Sequence, residues 1–294
     1  MGEIVGAGLV AHVPTIVLPP ETRRELNEGR EISLVPGLAR IRSEVLDRLA
    51  PDTIVVFDTH WFTTVEFVVA SHEHRSGRYT SDELPRGMSA VPYDFPGDRE
   101  LALAWAAEAD KVPDCWVTPI DDPYLPVHYP TINLLPFLQR DERWVSVSVC
   151  QTAEPRDFLT VGECLARAVE RLDRRVVLLA SGAMSHTFWS LRELRNHEAS
   201  DPVHLYTAEA AAADRRILDA WAAGDHAAVV DGMPGYAAYK PEGRFGHYLT
   251  MLGALGGRAC RAVGRPFSEY ENSIGTAQIH VWFDRPEGGW TVGR

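Results

Sequence analysis

The chain has 294 residues, 45% of them hydrophobic and 24% charged, which excludes a disordered tail or a fibre and suffices to bury the core of one large α/β domain. Its formal net charge is -12, from 41 acidic against 29 basic side chains, and Lys and Arg form no dense run. A nucleic acid or an anionic membrane surface is therefore not the expected partner; a small molecule is.

Cys115, Cys150, Cys164 and Cys260 lie far apart without a C-x-x-C spacing, so neither a zinc ribbon nor a disulfide framework is expected. Reduced thiols of a cytoplasmic protein fit better. The opening "MGEIVGAGLVAHVP" lacks a basic stretch before its apolar residues, and no apolar run approaches the roughly 20 residues that cross a bilayer.

In chain order, the first predicted strand is "IVGAGLV" (4–10), which ends at "AHVP" and so delivers His12. The second, "IVVF" (54–57), runs into "DTHW", an acid and an imidazole where a bland turn would serve. "VEFVVA" (65–70) is a third. The stretch 72–98, rich in charge, Pro and Gly, reads as a long loop of the functional or mobile kind. "DRELALAWAAEA" from Asp98 is helical, "WVSVSV" (144–149) a strand, and "DFLTVGECLARAVERL" from Asp157 a helix that follows Pro155. The strand "RVVLLAS" (175–181) leads to Ser185 and His186, and 183–202 reads as a second long loop. Helices over "AAAADRRILDAWAAG" (210–224) and "FGHYLTMLGALGG" (245–257) and a strand "AQIHVWF" (277–283) complete the chain. Strands alternating with helices predict a single α/β domain over 1–294, with a central mixed sheet flanked by helices and the site at the carboxyl ends of the strands.

Two strand exits carry a histidine in matching settings. If the strands are parallel neighbours, His12 and His60 meet at one end of the sheet, and with one carboxylate they make a facial triad for a non-haem metal. The plainer alternative is a pair of strand-end caps. Ser185 beside His186 admits a serine hydrolase, but G-x-S-x-G is absent, and an imidazole aimed at a shared pocket as proton donor or acceptor is the better reading. Glu242, on the Pro-Glu-Gly turn of "YKPEGRFGHYLTML", is either the missing carboxylate or a first-turn acid favouring the helix dipole; His247 follows it.

The segments "AHVPTIVLP", "DTIVVFDTHWF", "SGRYTSDELPRGMSAVPYDFPGDRELA", "LLASGAMSHTF", "MPGYAAYKPEGRFGHYLTMLGALG" and "SIGTAQIHVWF", in this order and spacing, resemble the class III extradiol ring-cleaving dioxygenases, the superfamily of the protocatechuate 4,5-dioxygenase catalytic subunit. Within it the resemblance is to the 3,4-dihydroxyphenylacetate (homoprotocatechuate) 2,3-dioxygenases. It implies an Fe(II) cofactor, with Mn(II) as the alternative ion, on His12, His60 and Glu242, and His186 as a catalytic acid/base that contacts substrate. It further implies a small aromatic diol and O2 as reactants, a muconic semialdehyde as product, and a homo-oligomer. Relatives carry a second acid/base histidine in an Asp-His-Gly segment; here "LPVHYPTINLLP" stands there, so the group is His128 or Tyr129, which point to opposite faces of an extended segment. Tyr79, Arg86, Tyr93 and Arg244 are candidates to hold a substrate ring and carboxylate. The competing readings are an extradiol dioxygenase that acts on an aminophenol or gallate-like substrate, a non-catalytic member of the fold, and a zinc or serine hydrolase.

Overall fold

The structure, a computed structural model, describes residues 1–291. Among these residues, twelve strands form in chain order: β1 (Glu3–Val10), β2 (Thr53–Thr63), β3 (Phe67–Ala70), β4 (His74–Tyr79), β5 (Val91–Pro96), β6 (Val117–Ile120), β7 (Arg143–Cys150), β8 (Arg175–Ser181), β9 (Gly264–Pro266), β10 (Glu271–Ser273), β11 (Thr276–Gln278) and β12 (Val281–Asp284). Eight of them make one sheet in the order β6-β3-β7-β2-β8-β1-β12-β9. Its centre, β7-β2-β8-β1, is parallel, and antiparallel pairing at β3/β7, β1/β12 and β12/β9 makes the sheet mixed as expected.

The central strands are apolar throughout because both of their faces are covered. Along β2, Val55 and Phe57 enter one core with Leu178 and Ala180, while Ile54 and Val56 enter the opposite core with Val177 and Leu179. The first core is roofed by helices Arg99–Ala109, Pro155–Arg171 and Gly246–Ala254, the second by the helical segment that begins at Leu34–Arg40 and by the short helix Leu135–Leu138. Asp98 caps Arg99–Ala109 by accepting from Leu101 N at 3.1 Å, and Glu154 and Asp157 cap Pro155–Arg171 reciprocally. That last helix lies hard against Gly246–Ala254: a Cβ on Gly162 would stand 2.0 Å from Thr250 O. The contact holds in place the helix that follows Glu242.

Two expectations need correction. The stretch 72–98 is not one loop, since β4 and β5 pair within it as an antiparallel ribbon from His74↔Pro96 to Tyr79↔Val91. Pro92 and Pro96, which read as strand breakers, are tolerated because a two-stranded ribbon leaves half its backbone donors unpaired. The expected strand 277–283 is two strands, broken at His280, whose Nδ1 accepts from Ala11 N at 3.1 Å and whose Nε2 donates to Leu34 O at 3.0 Å. Among the described residues, no helix is long and apolar enough to cross a membrane.

Candidate metal centre

β1 and β8 run in parallel register to Val10↔Ser181, so His12 leaves the sheet beside the end of β8. Its ring is buried, and Nδ1 lies 3.1 Å from Ser181 Oγ, which in turn donates to Pro130 O at 3.2 Å. This chain of bonds occupies Nδ1 and turns Nε2 towards the site. Asn133 Nδ2 donates to His12 O at 2.7 Å and fixes the backbone there.

His60 lies within β2 rather than beyond it. β2 pairs with β7 at Asp58↔Ser148 and next at Phe62↔Val149, so Thr59, His60 and Trp61 arch out of the ladder as a bulge. Asp58 holds the arch: Oδ1 accepts from His60 N at 3.1 Å and Trp61 N at 3.2 Å, and Oδ2 from Thr131 Oγ1 at 2.9 Å. The fully buried acid of "DTHW" is therefore the anchor that turns the imidazole into the site. Glu83 Oε1 stands 3.3 Å from His60 Nδ1, which again directs Nε2 inward.

Glu242 arrives from the opposite side of the sequence. Pro241 precedes it, and Gly243, Arg244 and Phe245 follow with φ of 55°, 57° and 61°, three consecutive left-handed residues. For Arg244 and Phe245 this conformation costs on the order of 1 to 3 kcal/mol each, which the buried surroundings must offset. The turn aims the carboxylate inward, where Oε2 accepts from Ala183 N at 2.5 Å and Oε1 from Thr59 Oγ1 at 2.8 Å.

The ligand atoms of His12, His60 and Glu242 all lie within 4.8 Å of one another. Two ligands at right angles on an ion with bonds of about 2.1 Å stand about 3 Å apart. Glu242 Oε1 is 3.1 Å from His60 Nε2 and 3.5 Å from His12 Nε2, so the donor set fits a divalent ion. Burial pushes the Glu242 carboxyl up, but the imidazoles of His12, His186 and His60 bring it well below its ordinary value. Burial pushes His60 down, and Glu242, Glu83 and Asp58 outweigh it to leave that imidazole raised.

Tyr129 reaches this cluster: its hydroxyl is 2.5 Å from His60 Nε2 and 3.4 Å from Glu83 Oε2, and its ring centroid is 5.4 Å from that of His12. His128 turns the other way and stacks on Trp61 with centroids 5.8 Å apart. His186 is partly buried, its ring 4.7 Å from that of Phe188; burial lowers its pKa against the pull of Glu242. The Ser185 hydroxyl donates to Asp214 Oδ2 at 2.7 Å, which commits it away from the nucleophile role. His247 is fully buried, and neither ring nitrogen has a partner among the described residues. A Cβ on Gly182 would stand 2.7 Å from its Nε2, so glycine is required there. Arg244 donates to Gln151 O from an exposed position, while Tyr93 lies tilted against Phe95 on the ribbon, with ring centroids 6.0 Å apart. Thr59, Ser181 and Glu83 were not singled out from the sequence; their signal is their place at the carboxyl ends of β2 and β8 and in the stretch opposite.

Fold and site together define an α/β protein with two imidazoles and one carboxylate, a donor set that could hold a metal ion, gathered at the carboxyl edge of its sheet. The chain belongs to the family described as the catalytic LigB subunit of aromatic ring-opening dioxygenase, which it matches over residues 6–280, and it is an extradiol dioxygenase. It is similar to the 3,4-dihydroxyphenylacetate 2,3-dioxygenase of Escherichia coli, with 30% identity over 261 residues covering 87% of this chain and 91% of that one. The β subunit of a 2-aminophenol 1,6-dioxygenase from Pseudomonas sp is 27% identical over 204 residues, 65% of each chain. Among solved structures, an uncharacterised protein of Escherichia coli K12 shares the fold, with a TM-score of 0.60 over 95% of this chain and 99% of that one at 17% identity.

Proposed function

We propose that the enzyme opens the ring of a substituted catechol, 3,4-dihydroxyphenylacetate or a close relative, beside its diol, using Fe(II) held by His12, His60 and Glu242. The observation that supports this reading is the convergence of three ligand atoms within 4.8 Å. Both imidazoles have their outer nitrogens occupied, by Ser181 and by Glu83. Fe(II) at this site supplies the one-electron chemistry with O2 that side chains lack, and Mn(II), which takes the same donors, is the alternative ion.

The side chains do the rest. His186, kept neutral by burial, accepts a proton from a diol hydroxyl on a ring nitrogen and returns it to oxygen as the ring opens. Burial, with Glu242 and Glu83, holds the Tyr129 phenol well above its ordinary value, so its hydroxyl stays protonated and donates a hydrogen bond to substrate oxygen. In balance, one C–C bond of the ring breaks, both atoms of O2 enter the product, and a muconic semialdehyde results. A second reading, an aminophenol or other amine-bearing ring, is favoured by Glu83, whose carboxylate stands at the Tyr129 hydroxyl where a carboxylate-bearing substrate would be repelled.

The test is anaerobic reconstitution with Fe(II), followed by a panel of diols and aminophenols and then air. Oxygen uptake with a yellow ring-fission product supports the reading. No uptake with any member of the panel contradicts it, and the preferred member separates the two substrate classes.

A further inference from the structure

Asp214 sits in the helix Ala208–Ala222, fully buried, with no ion-pair partner among the described residues. Four donors surround its carboxylate: Ser185 N at 3.2 Å and Tyr236 OH at 2.6 Å on Oδ1, Ser185 Oγ at 2.7 Å and Tyr270 OH at 2.5 Å on Oδ2. Burial of a carboxylate without a cation is costly, and burial indeed raises the Asp214 pKa while the hydroxyls and the Ser185 amide pull it back. An apolar cluster could fill the same space at lower cost. What the carboxylate adds is direction, and the residue it directs is the neighbour of His186.

The backbone around His186 is held on every side. Met184 N donates to Ala277 O at 3.0 Å, Met184 O accepts from Glu242 N at 3.1 Å, Ser185 O accepts from Ala277 N at 2.9 Å, and His186 N donates to Tyr239 O at 3.3 Å. The amide left over, Ser185 N, goes to Asp214. Tyr236, at the end of helix His226–Tyr236, donates to the carboxylate, and Tyr239, in the short helical turn that follows, accepts from the His186 amide. Through Met184 and Ala183, the same short segment touches Glu242.

We propose that Asp214 is a positioning residue for this reaction: with Ser185, Tyr236 and Tyr270 it fixes the direction in which His186 presents its imidazole to the substrate. The proposal rests on His186 acting as the proton-transfer group. Asp214 touches neither substrate nor metal; it acts through the Ser185 amide and hydroxyl, and a misdirected imidazole transfers its proton over a longer path.

The experiment uses the iron-loaded full chain and compares Asp214→Asn, His186→Ala and the double variant, each with kcat per bound iron, KM and the thermal midpoint. Asp214→Asn is expected to lower kcat by on the order of 10- to 100-fold with KM little changed. The double variant is expected to be no slower than His186→Ala alone, because a group that acts through another contributes nothing once that other is gone. Should His186→Ala turn over like the wild type, the assignment of His186 fails and the proposal with it. If His186→Ala is slow but the Asp214→Asn loss multiplies onto it, or if Asp214→Asn shifts the thermal midpoint while kcat per iron is unchanged, His186 keeps its role and Asp214 is structural. Tyr270→Phe removes one donor and keeps the carboxylate; it gives the same discrimination if Asp214→Asn does not fold.

Discussion

At the scale of single residues, one step along the chain separates two side chains with different surroundings. Tyr129 and His128 are adjacent, and the extended backbone at His128 sends the imidazole to Trp61 and the phenol to His60. Tyr129→Phe is expected to lower kcat/KM by about 10-fold, the worth of one hydrogen bond to a charged group, while His128→Ala changes it by about 2-fold or less. Steady-state kinetics on the iron-loaded variants checks this, and the reverse order would reassign the group. From sequence alone the two were equivalent, because facing is decided by a local backbone turn that composition does not encode. His12 and His60 were legible as candidates, since each follows an apolar run of a parallel strand and the carboxyl edge is where such a sheet collects polar groups. Glu242 was legible only through the family resemblance: in isolation it is indistinguishable from a helix-capping acid, and the three left-handed residues that aim it carry a single glycine as their signature.

At the scale of elements, the bulge of β2 decides the centre. A regular strand would send Thr59 and Trp61 to one face and His60 to the other, and would leave His60 hydrogen-bonded in the ladder. The arch frees all three, and Asp58 closes it with bonds to two amides and the Thr131 hydroxyl. Asp58→Ala strands these donors in a buried site and is expected to destabilise the protein by about 1 to 3 kcal/mol. It should also weaken metal binding, because His60 is no longer held; urea unfolding together with an iron titration checks both, and an unchanged affinity would mean that the bulge is shaped by something else. The strand itself was readable from "TIVVF", but its continuation to Thr63 was not: "DTHW" has no strand periodicity, and pairing there depends on the last residues of β7. The ribbon of β4 and β5 escaped for the opposite reason, with prolines and exposed charged residues masking a register that the partner strand supplies.

At the scale of the whole molecule, the alternation of strands and helices announced an α/β layer. The order β6-β3-β7-β2-β8-β1-β12-β9 was not readable, because each crossover can place its strand on either side of those already laid down. Burial also sets an acid limit on the fold. His280 joins the β1 exit to the helical segment at Leu34 through both ring nitrogens, and burial lowers its pKa to about 4; His226, bonded to Tyr248 and Ala262, is lowered by burial too. Both take up protons more readily unfolded than folded. Their effect is absent above the unfolded value of about 6.5 and destabilises as the pH falls below it, for His280 down to about 4, by up to about 1.4 kcal/mol per pH unit for each proton. Urea midpoints of the metal-free protein are expected to drop from about pH 6 to 4.5. A midpoint that rose on acidification would contradict the neutral state assigned to these imidazoles.

Three side chains brought from the ends of β1 and β2 and from a left-handed turn are claimed to hold one divalent ion. The most direct measurement is an anaerobic equilibrium titration with Fe(II) of the wild type and of Glu242→Gln, which keeps the shape of the side chain and removes its charge. One tightly bound iron per chain in the wild type and a loss of affinity of about 100-fold or more in the variant is the expected result. Equal affinity in the two proteins would contradict it.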